Sequence, residues 1–147
     1  TGETVTALLA AIEEALPVSP FLYPDDELST QPMRFFATEA IREAAFEVLH
    51  EEVPYGVLAD IEEYKEDRDP LYVRAVLYVE RESQKGIVLG AKGRTIREIG
   101  TRSRQKLEQL VERRVYLDLW VKVLGEWRRD TRVLRRYGFT IPPDSAP

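Results

Sequence analysis

The residues best suited to chemistry lie in one short stretch, GIVLGAKGRTIREIG, at residues 86–100. Within it, Gly90 and Gly93 bracket Ala91 and Lys92, which forms a Gly-x-x-Gly turn between two helical patterns. Glycines remove side-chain bulk where a ligand backbone must approach, and the N–H groups at the start of a helix attract phosphate. The stretch therefore predicts a phosphate-binding turn.

Charged and apolar side chains flank this turn. Cations can add ionic contacts to phosphates, and branched apolar side chains can line a groove for unstacked bases. The candidate cations are Lys85, Lys92, Arg94 and Arg97, and the candidate apolar residues are Ile87, Val88, Ile96 and Ile99. The alternative treats Gly90 as a helix C-cap, Gly93 as a turn residue and the isoleucines as core.

The net charge of −5 conceals a separation of charge along the chain. Residues 1–82 hold 6 basic and 19 acidic side chains, whereas residues 83–138 hold 15 basic and 6 acidic ones. This division suggests that one face attracts phosphate while the rest stays acidic and soluble. The alternative is a chance cluster of charges on solvated helices.

The sequence offers no catalytic or metal-binding constellation. His50 is the sole histidine and has no partner at ligand spacing, and there is no cysteine. Glu62 and Glu63 are neighbours on a predicted strand, so their side chains point to opposite faces. The absence of cysteine, of a signal-peptide pattern and of a long apolar run leads us to expect a cytoplasmic protein.

The elements that must position these residues begin with two helices. Apolar residues at helical spacing predict a first helix from Val5 to Leu16, which Pro17 ends. A proline-rich linker follows at residues 18–32, and a second helix should run from Met33 to near Val53-Pro54. Its predicted core-facing residues are Met33, Phe36, Ala37, Ala40, Ile41, Ala44 and Val48.

Three strands and three further helices are predicted after that. Alternation indicates strands around residues 57–61, 71–79 and 115–123. Helical patterns cover residues 83–90 and 94–113 on either side of the turn, and EWRRDTRVLRRYGF suggests a basic helix ended by Gly138. The predicted buried side of the longer helix comprises Ile96, Ile99, Ser103, Leu107 and Leu110.

The segment IVLGAKGRTIREIG closely resembles the signature of KH domains, and two strands before it with one after resemble the type II form. The resemblance implies an α+β type II KH domain, ordered helix-strand-strand-helix-GxxG-helix-strand. Its three-stranded sheet would carry helices on one face, with a C-terminal helix added.

Longer segments resemble the C-terminal part of the bacterial Era GTPase family, in that family's order. They are RFFATEAIREAAFEVLHEEVPYG, VERESQKGIVLGAKGRTIREIG and LDLWVKVLGEWRRDTRVLRRYGF, and FLYPDDELSTQP resembles the family's interdomain connection. The implied domains are the last helix of a GTPase domain at 1–17, a linker at 18–32, the KH domain with its basic helix at 33–138 and a tail at 139–147. No Gly-x-x-x-x-Gly-Lys-Ser/Thr loop occurs, so we expect no GTPase activity and no cofactor in this chain.

The Era resemblance also implies partners and a site. Era-like proteins bind the 3′ end of small-subunit ribosomal RNA during small-subunit biogenesis, associate peripherally with membranes, and hold GTP and Mg²⁺ in the GTPase domain of the full-length chain. The RNA-facing set implied here is Gln84, Lys85, Ile87, Val88, Gly90, Ala91, Lys92, Gly93, Arg94, Ile96 and Arg97. Ala91 departs from the pattern, since many KH loops carry a basic or polar residue at that position.

We hypothesise a second RNA contact through Arg128, Arg132 and Arg135, whose spacing would place them on one face of the terminal helix. A merely solvated face is the alternative. For the domain as a whole, the alternative function is a KH-like module that docks protein and regulates a GTPase without reading RNA. The basic Gly-x-x-Gly loop favours RNA binding.

Overall fold

The computed structural model describes residues 3–20 and 31–137. The chain divides into two compact units, Thr1–Thr30 and Gln31–Pro147. In the first, helix α1 spans Glu3–Ala15, close to the predicted range from Val5 to Leu16, and its apolar side chains, including Leu8 and Leu9, are exposed. Most of the predicted linker and all of the predicted tail lie outside the described residues, and the predicted domain boundaries stay a prediction.

The second unit contains the predicted order of elements. Its elements are α2 (Met33–Val48), a 3-10 turn (Pro54–Gly56), β1 (Leu58–Lys65), β2 (Leu71–Val79), α3 (Glu82–Leu89), a second 3-10 turn (Ala91–Gly93), α4 (Arg94–Val111), β3 (Val115–Val123) and α5 (Thr131–Arg136). The α+β fold with helix-strand-strand-helix-GxxG-helix-strand order is confirmed.

The three strands form one mixed sheet in the order β1-β2-β3. Strands β1 and β2 are antiparallel, and β2 and β3 are parallel. A parallel pair needs a crossover connection, which α3, the Gly-x-x-Gly turn and α4 supply. A register shift between Ile61 and Glu63 leaves Glu62 as an extra residue in β1. In this strand order, β3 lies at one edge of the sheet, beside α4.

The core lies between one face of the sheet and helices α2, α3 and α4. Alternate residues of β2, from Leu71 to Val79, pack in one cluster with Ile41 of α2, Val88 of α3 and Ile99 of α4. The placement of these helices on one face is as predicted. The opposite face is partly covered as well, because Val76 is fully buried there.

Two predicted helix ends are wrong. Helix α2 ends at Val48, since the backbone of Leu49 is extended and Pro54 begins a separate 3-10 turn. Helix α4 ends at Val111 because Glu112 adopts a left-handed conformation, with φ of 52°. Two residues predicted to be buried are instead exposed: Met33, which is 42% exposed in the first turn of α2, and Leu110 near the end of α4.

The terminal helix is also shorter than predicted, because α5 spans only Thr131–Arg136. Residues 125–129 form turns, in which Glu126 has φ of 51°. Trp127 lies in these turns, is 5% exposed, and donates from Nε1 to the carbonyl oxygen of Gly56 at 3.2 Å. The helix begins only at Thr131, because Asp130 before it is extended and accepts from the backbone amides of Arg132 and Val133 as the N-cap.

Candidate nucleic-acid interface

The Gly-x-x-Gly turn joins α3 to α4 through three residues with positive φ. Gly90, the C-cap of α3, has φ of 67°, and Lys92 and Gly93 have φ of 53° and 72°. A Cβ on Gly90 would lie 2.1 Å from Oγ1 of Thr95. The backbone conformation therefore favours glycine at both positions, as the capping interpretation predicts. This requirement is compatible with a ligand site at the same turn.

Two hydrogen bonds fix the shape of the turn. The amide of Gly93 donates to the carbonyl oxygen of Gly90 at 3.1 Å. The guanidinium of Arg97, one turn into α4, donates from Nη2 to the carbonyl oxygen of Lys92 at 2.8 Å. Arg97 thus holds the loop from the helix side, while its remaining N–H donors stay at the surface.

The turn presents positive charge at the start of α4. Gly93 is the N-cap of this 18-residue helix and has no side chain to accept from the first amides. Unsatisfied amides and the helix dipole make this end attractive to anions. Lys92 and Arg94 beside it are exposed, and neither forms an ion pair with any of the described residues.

An open groove of about 460 Å³ begins at the turn and runs between α4 and β3. Its walls are apolar toward the sheet and basic toward the helix. The lining residues are Gly93, Ile96, Arg97, Gly100, Thr101, Arg104, Leu117 and Leu119. A groove with apolar walls beside a phosphate-attracting turn has the chemistry that unpaired bases and their backbone require.

The structure brings only part of the predicted set to this groove. Gly93, Ile96 and Arg97 line it, and Ala91, Lys92 and Arg94 are exposed at its mouth. Ile87 is 52% exposed on α3 and does not line the groove. Val88 is fully buried in the core cluster, so its side chain supports the fold and is not available for RNA.

Gln84 and Lys85 lie at the start of α3. The side-chain Oε1 of Gln84 accepts from the backbone amides of Glu80 at 2.9 Å and Arg81 at 3.1 Å, which caps the helix. Lys85 Nζ lies 3.9 Å from a carboxylate oxygen of Glu82. The acceptor of Gln84 is therefore engaged in forming α3, whereas Lys85 remains a half-buried cation near the turn.

Sequence reasoning missed five groove residues: Gly100, Thr101, Arg104, Leu117 and Leu119. A signal was present for three of them, because Arg97, Gly100, Thr101 and Arg104 recur at helical spacing on one face of α4. Leu117 and Leu119 alternate like core residues and gave no signal. They are only half-buried because β3 is the edge strand.

The predicted second cluster does not form one helical face. Arg128 precedes α5 and pairs with the carboxylate of Glu80, whose pKa is lowered mainly by that hydrogen bond. Arg132 pairs with Asp130 at 3.1 Å, and Asp130 caps α5. Arg135 is exposed on α5. The three arginines do not share a helical face because the helix begins only at Thr131, and the RNA contact itself stays a prediction.

Neither a metal site nor a membrane span is found in the part of the chain that the structure describes. No group of three His, Cys, Asp or Glu side chains could hold an ion there. No helix among those residues is both long and apolar enough to cross a bilayer.

Comparison with known proteins places this architecture. The family model described as "KH domain" matches residues 52–128, which include all three strands, the Gly-x-x-Gly turn and α4. The chain belongs to the KH-domain family. It is 44% identical over 141 residues to GTPase Era of Carboxydothermus hydrogenoformans, covering 95% of this chain and 47% of that relative. It is 46% identical over 142 residues to GTPase Era of a Mycobacterium species, strain KMS, covering 95% of this chain and 48% of that relative.

Solved structures agree with the sequence relatives. An Era variant from Aquifex aeolicus bound to GDP·AlF4⁻ superimposes with a TM-score of 0.86 at 37% identity, covering 94% of this chain and 47% of that chain. An Era in complex with MgGDPNP and nucleotides 1506–1542 of 16S ribosomal RNA matches with the same score, identity and coverage. The chain thus corresponds to the KH-containing part of Era and spans about half the length of the relatives it matches.

Proposed function

We propose that this KH domain binds single-stranded RNA, with the sugar-phosphate backbone at the Gly-x-x-Gly turn and the bases in the groove between α4 and β3. The observation that supports the proposal is that the Gly-x-x-Gly turn and the groove adjoin. The start of α4 has no side-chain cap and opens directly into the groove lined by Ile96, Leu117 and Leu119. Lys92 and Arg94 lie beside it and pair with no carboxylate of the described residues.

The RNA that we propose is the 3′ end of small-subunit ribosomal RNA, bound during assembly of the small subunit in the cytoplasm. The similar Era whose structure contains nucleotides 1506–1542 of 16S ribosomal RNA supports this choice. In the complete protein, α1 would belong to an upstream GTPase domain that holds GTP and Mg²⁺. The exposed apolar side chains of α1 support that assignment.

The basic C-terminal segment remains our candidate for a second RNA contact. Arg135 is the strongest candidate of the three because it is exposed, whereas Arg128 and Arg132 already pair with Glu80 and Asp130. An RNA phosphate would have to compete with those carboxylates. Peripheral membrane association, implied only by the family resemblance, would draw on the same exposed cations.

The test of the proposal is fluorescence anisotropy with an RNA that matches the 3′ end of small-subunit ribosomal RNA and with a scrambled RNA. Ala91→Asp combined with Lys92→Asp places two carboxylates where a phosphate should lie. We expect the unmodified chain to prefer the ribosomal sequence and the double variant to lose most of its affinity.

A matched control separates the loop from general charge. Arg68→Asp with Gln109→Asp changes the net charge by the same three units at exposed positions away from the turn, and should reduce affinity much less. Equal loss in both variants would contradict binding at the turn. A chain that binds neither RNA would favour the protein-docking alternative.

A further inference from the structure

We propose that Arg104 contacts the bound RNA at the end of the groove farthest from the turn, and that Glu108 is a positioning residue that holds the Arg104 guanidinium there. This inference rests on the proposed function and extends it to the other end of the same groove. Neither residue belongs to the Gly-x-x-Gly turn.

Arg104 lies well away from the turn on the same face of α4. It lines the groove together with Gly93, Arg97 and Leu117. Ten residues separate it from Arg94, the first residue of α4, which places it roughly 15 Å along the helix axis. A strand held at the turn and extended through the groove would therefore reach Arg104 several nucleotides later.

Glu108 anchors the guanidinium in a defined position. Both of its carboxylate oxygens accept from Nη1 of Arg104, each at 2.9 Å. Oε1 also accepts from the backbone amide of Val115, the first residue of β3, at 3.2 Å. The carboxylate thus ties the arginine of α4 to the strand that forms the other wall of the groove.

The same contacts keep Glu108 charged. The amide of Val115, followed by the side chain of Arg104, holds the pKa of Glu108 below its ordinary value. An arginine paired with a fixed carboxylate loses less conformational freedom on binding than a free surface arginine. Arg97, at the other end of the groove, is likewise restrained by its bond to Lys92.

The guanidinium retains donors for a ligand. Only Nη1 of Arg104 is used by Glu108, and no hydrogen bond from Nε or Nη2 is found to any described residue. Arginine presents its donors in a planar fork that suits phosphate oxygens or the acceptor edge of a base. The ligand class is an unpaired nucleotide of the strand that already occupies the groove.

The test uses Arg104→Gln and RNAs shortened by one nucleotide at a time from either end. On the longest RNA we expect Arg104→Gln to bind about tenfold more weakly than the unmodified chain. Once the nucleotide that reaches Arg104 is removed, the two proteins should bind equally. Arg102→Gln is the matched control, because Arg102 lies on the same helix but pairs with Glu47 of α2 at 3.4 Å. It should behave like the unmodified chain on every RNA.

The salt dependence of binding identifies the acceptor. If Arg104 contacts a phosphate, Arg104→Gln should lower the slope of log affinity against log salt concentration by about one. If it contacts a base edge, the slope should stay the same and the loss should depend on the identity of that base. Either result supports the contact.

The positioning role of Glu108 is tested in a double-mutant cycle. Glu108→Gln keeps an oxygen for the amide of Val115 but loses the ionic hold on Arg104. It should weaken binding of the long RNA, yet weaken it no further in the Arg104→Gln background. Thermal unfolding of each variant checks that the fold is retained, and equal affinity for the short RNA provides a second check.

Three outcomes would overturn the inference. In the first, Arg104→Gln binds every RNA as the unmodified chain does; in the second, it loses the same factor on every RNA regardless of length. Additive effects of Glu108→Gln and Arg104→Gln would remove the positioning role. These outcomes are distinct from failure of the proposed function, in which the unmodified chain itself binds no RNA.

Discussion

At the scale of single residues, Gly86 and Gly90 differ in what the backbone requires of them. Gly90 has φ of 67° and would place a Cβ 2.9 Å from the backbone nitrogen of Thr95. Gly86 lies within α3 and has nothing within 4 Å of such a Cβ. The turn thus requires glycine at position 90, whereas glycine at position 86 only lowers the stability of α3.

The two alanine substitutions should therefore change stability in opposite directions. We expect Gly90→Ala to lower the free energy of unfolding by about 1–3 kcal/mol, through left-handed strain and the clash with Thr95. Gly86→Ala should raise it by roughly 0.5–1 kcal/mol, because alanine favours helix. Urea denaturation monitored by circular dichroism measures both. A stabilised Gly90→Ala variant would show that the turn has another conformation.

At the scale of elements, the sequence predicts helices and strands well where their periodic patterns are long. It fails where a single side chain determines where an element begins or ends. Alternation over nine residues located β2 and β3, and helical spacing located α4. The terminal helix was overextended because burial of Trp127 against Gly56 has no local signature. The lining of the groove was incomplete for a related reason, since the half-buried state of Leu117 depends on β3 being an edge strand.

The residue after α5 connects this terminal segment to the sheet. The hydroxyl of Tyr137 donates to a carboxylate oxygen of Asp60 in β1 at 3.3 Å, and its ring lies 6.4 Å from that of Tyr78 in β2. Burial, followed by the charge of Asp60, raises the pKa of Tyr137 to about 12. The neutral phenol is therefore the form that the fold favours.

This shift predicts a loss of stability at high pH. An unfolded tyrosine ionises near pH 10, whereas Tyr137 in the folded chain keeps its proton to about pH 12. The stability that the neutral phenol contributes is present below pH 10 and is lost as the pH rises from 10 to 12. The free energy of unfolding of the unmodified chain should therefore fall relative to that of Tyr137→Phe as the pH rises from 10 to 12. Other tyrosines and lysines titrate in both proteins, so a constant difference would show that Tyr137 is not buried as described.

At the scale of the whole molecule, the chain consists of two units with different amounts of buried surface. Among the described residues, the buried apolar side chains lie in the second unit, from Ala37 to Trp127, while residues 4–15 of α1 are exposed. The second unit therefore has a hydrophobic core built from its own residues, and the hydrophobic effect stabilises it.

Deletion of residues 1–30 should leave the second unit folded. We expect the thermal midpoint of residues 31–147 to match that of the full chain within about 2 °C, which corresponds to less than roughly 0.5 kcal/mol in a domain of this size. Differential scanning calorimetry of both proteins makes the comparison. A large drop in the midpoint would mean that residues 1–30 contribute to the core of the KH domain.

The central claim is that RNA occupies the turn and the groove of this KH domain. The most direct measurement is a titration of the isotopically labelled chain with the ribosomal RNA 3′-end sequence, followed by backbone amide chemical shifts. We predict the largest changes at Gly90–Gly93, Gly100 and Thr101, with a smaller set around Arg135 if the terminal segment also contacts RNA. Changes confined to α5, or to Tyr116 and Trp120 on the outer face of the sheet, would contradict the claim.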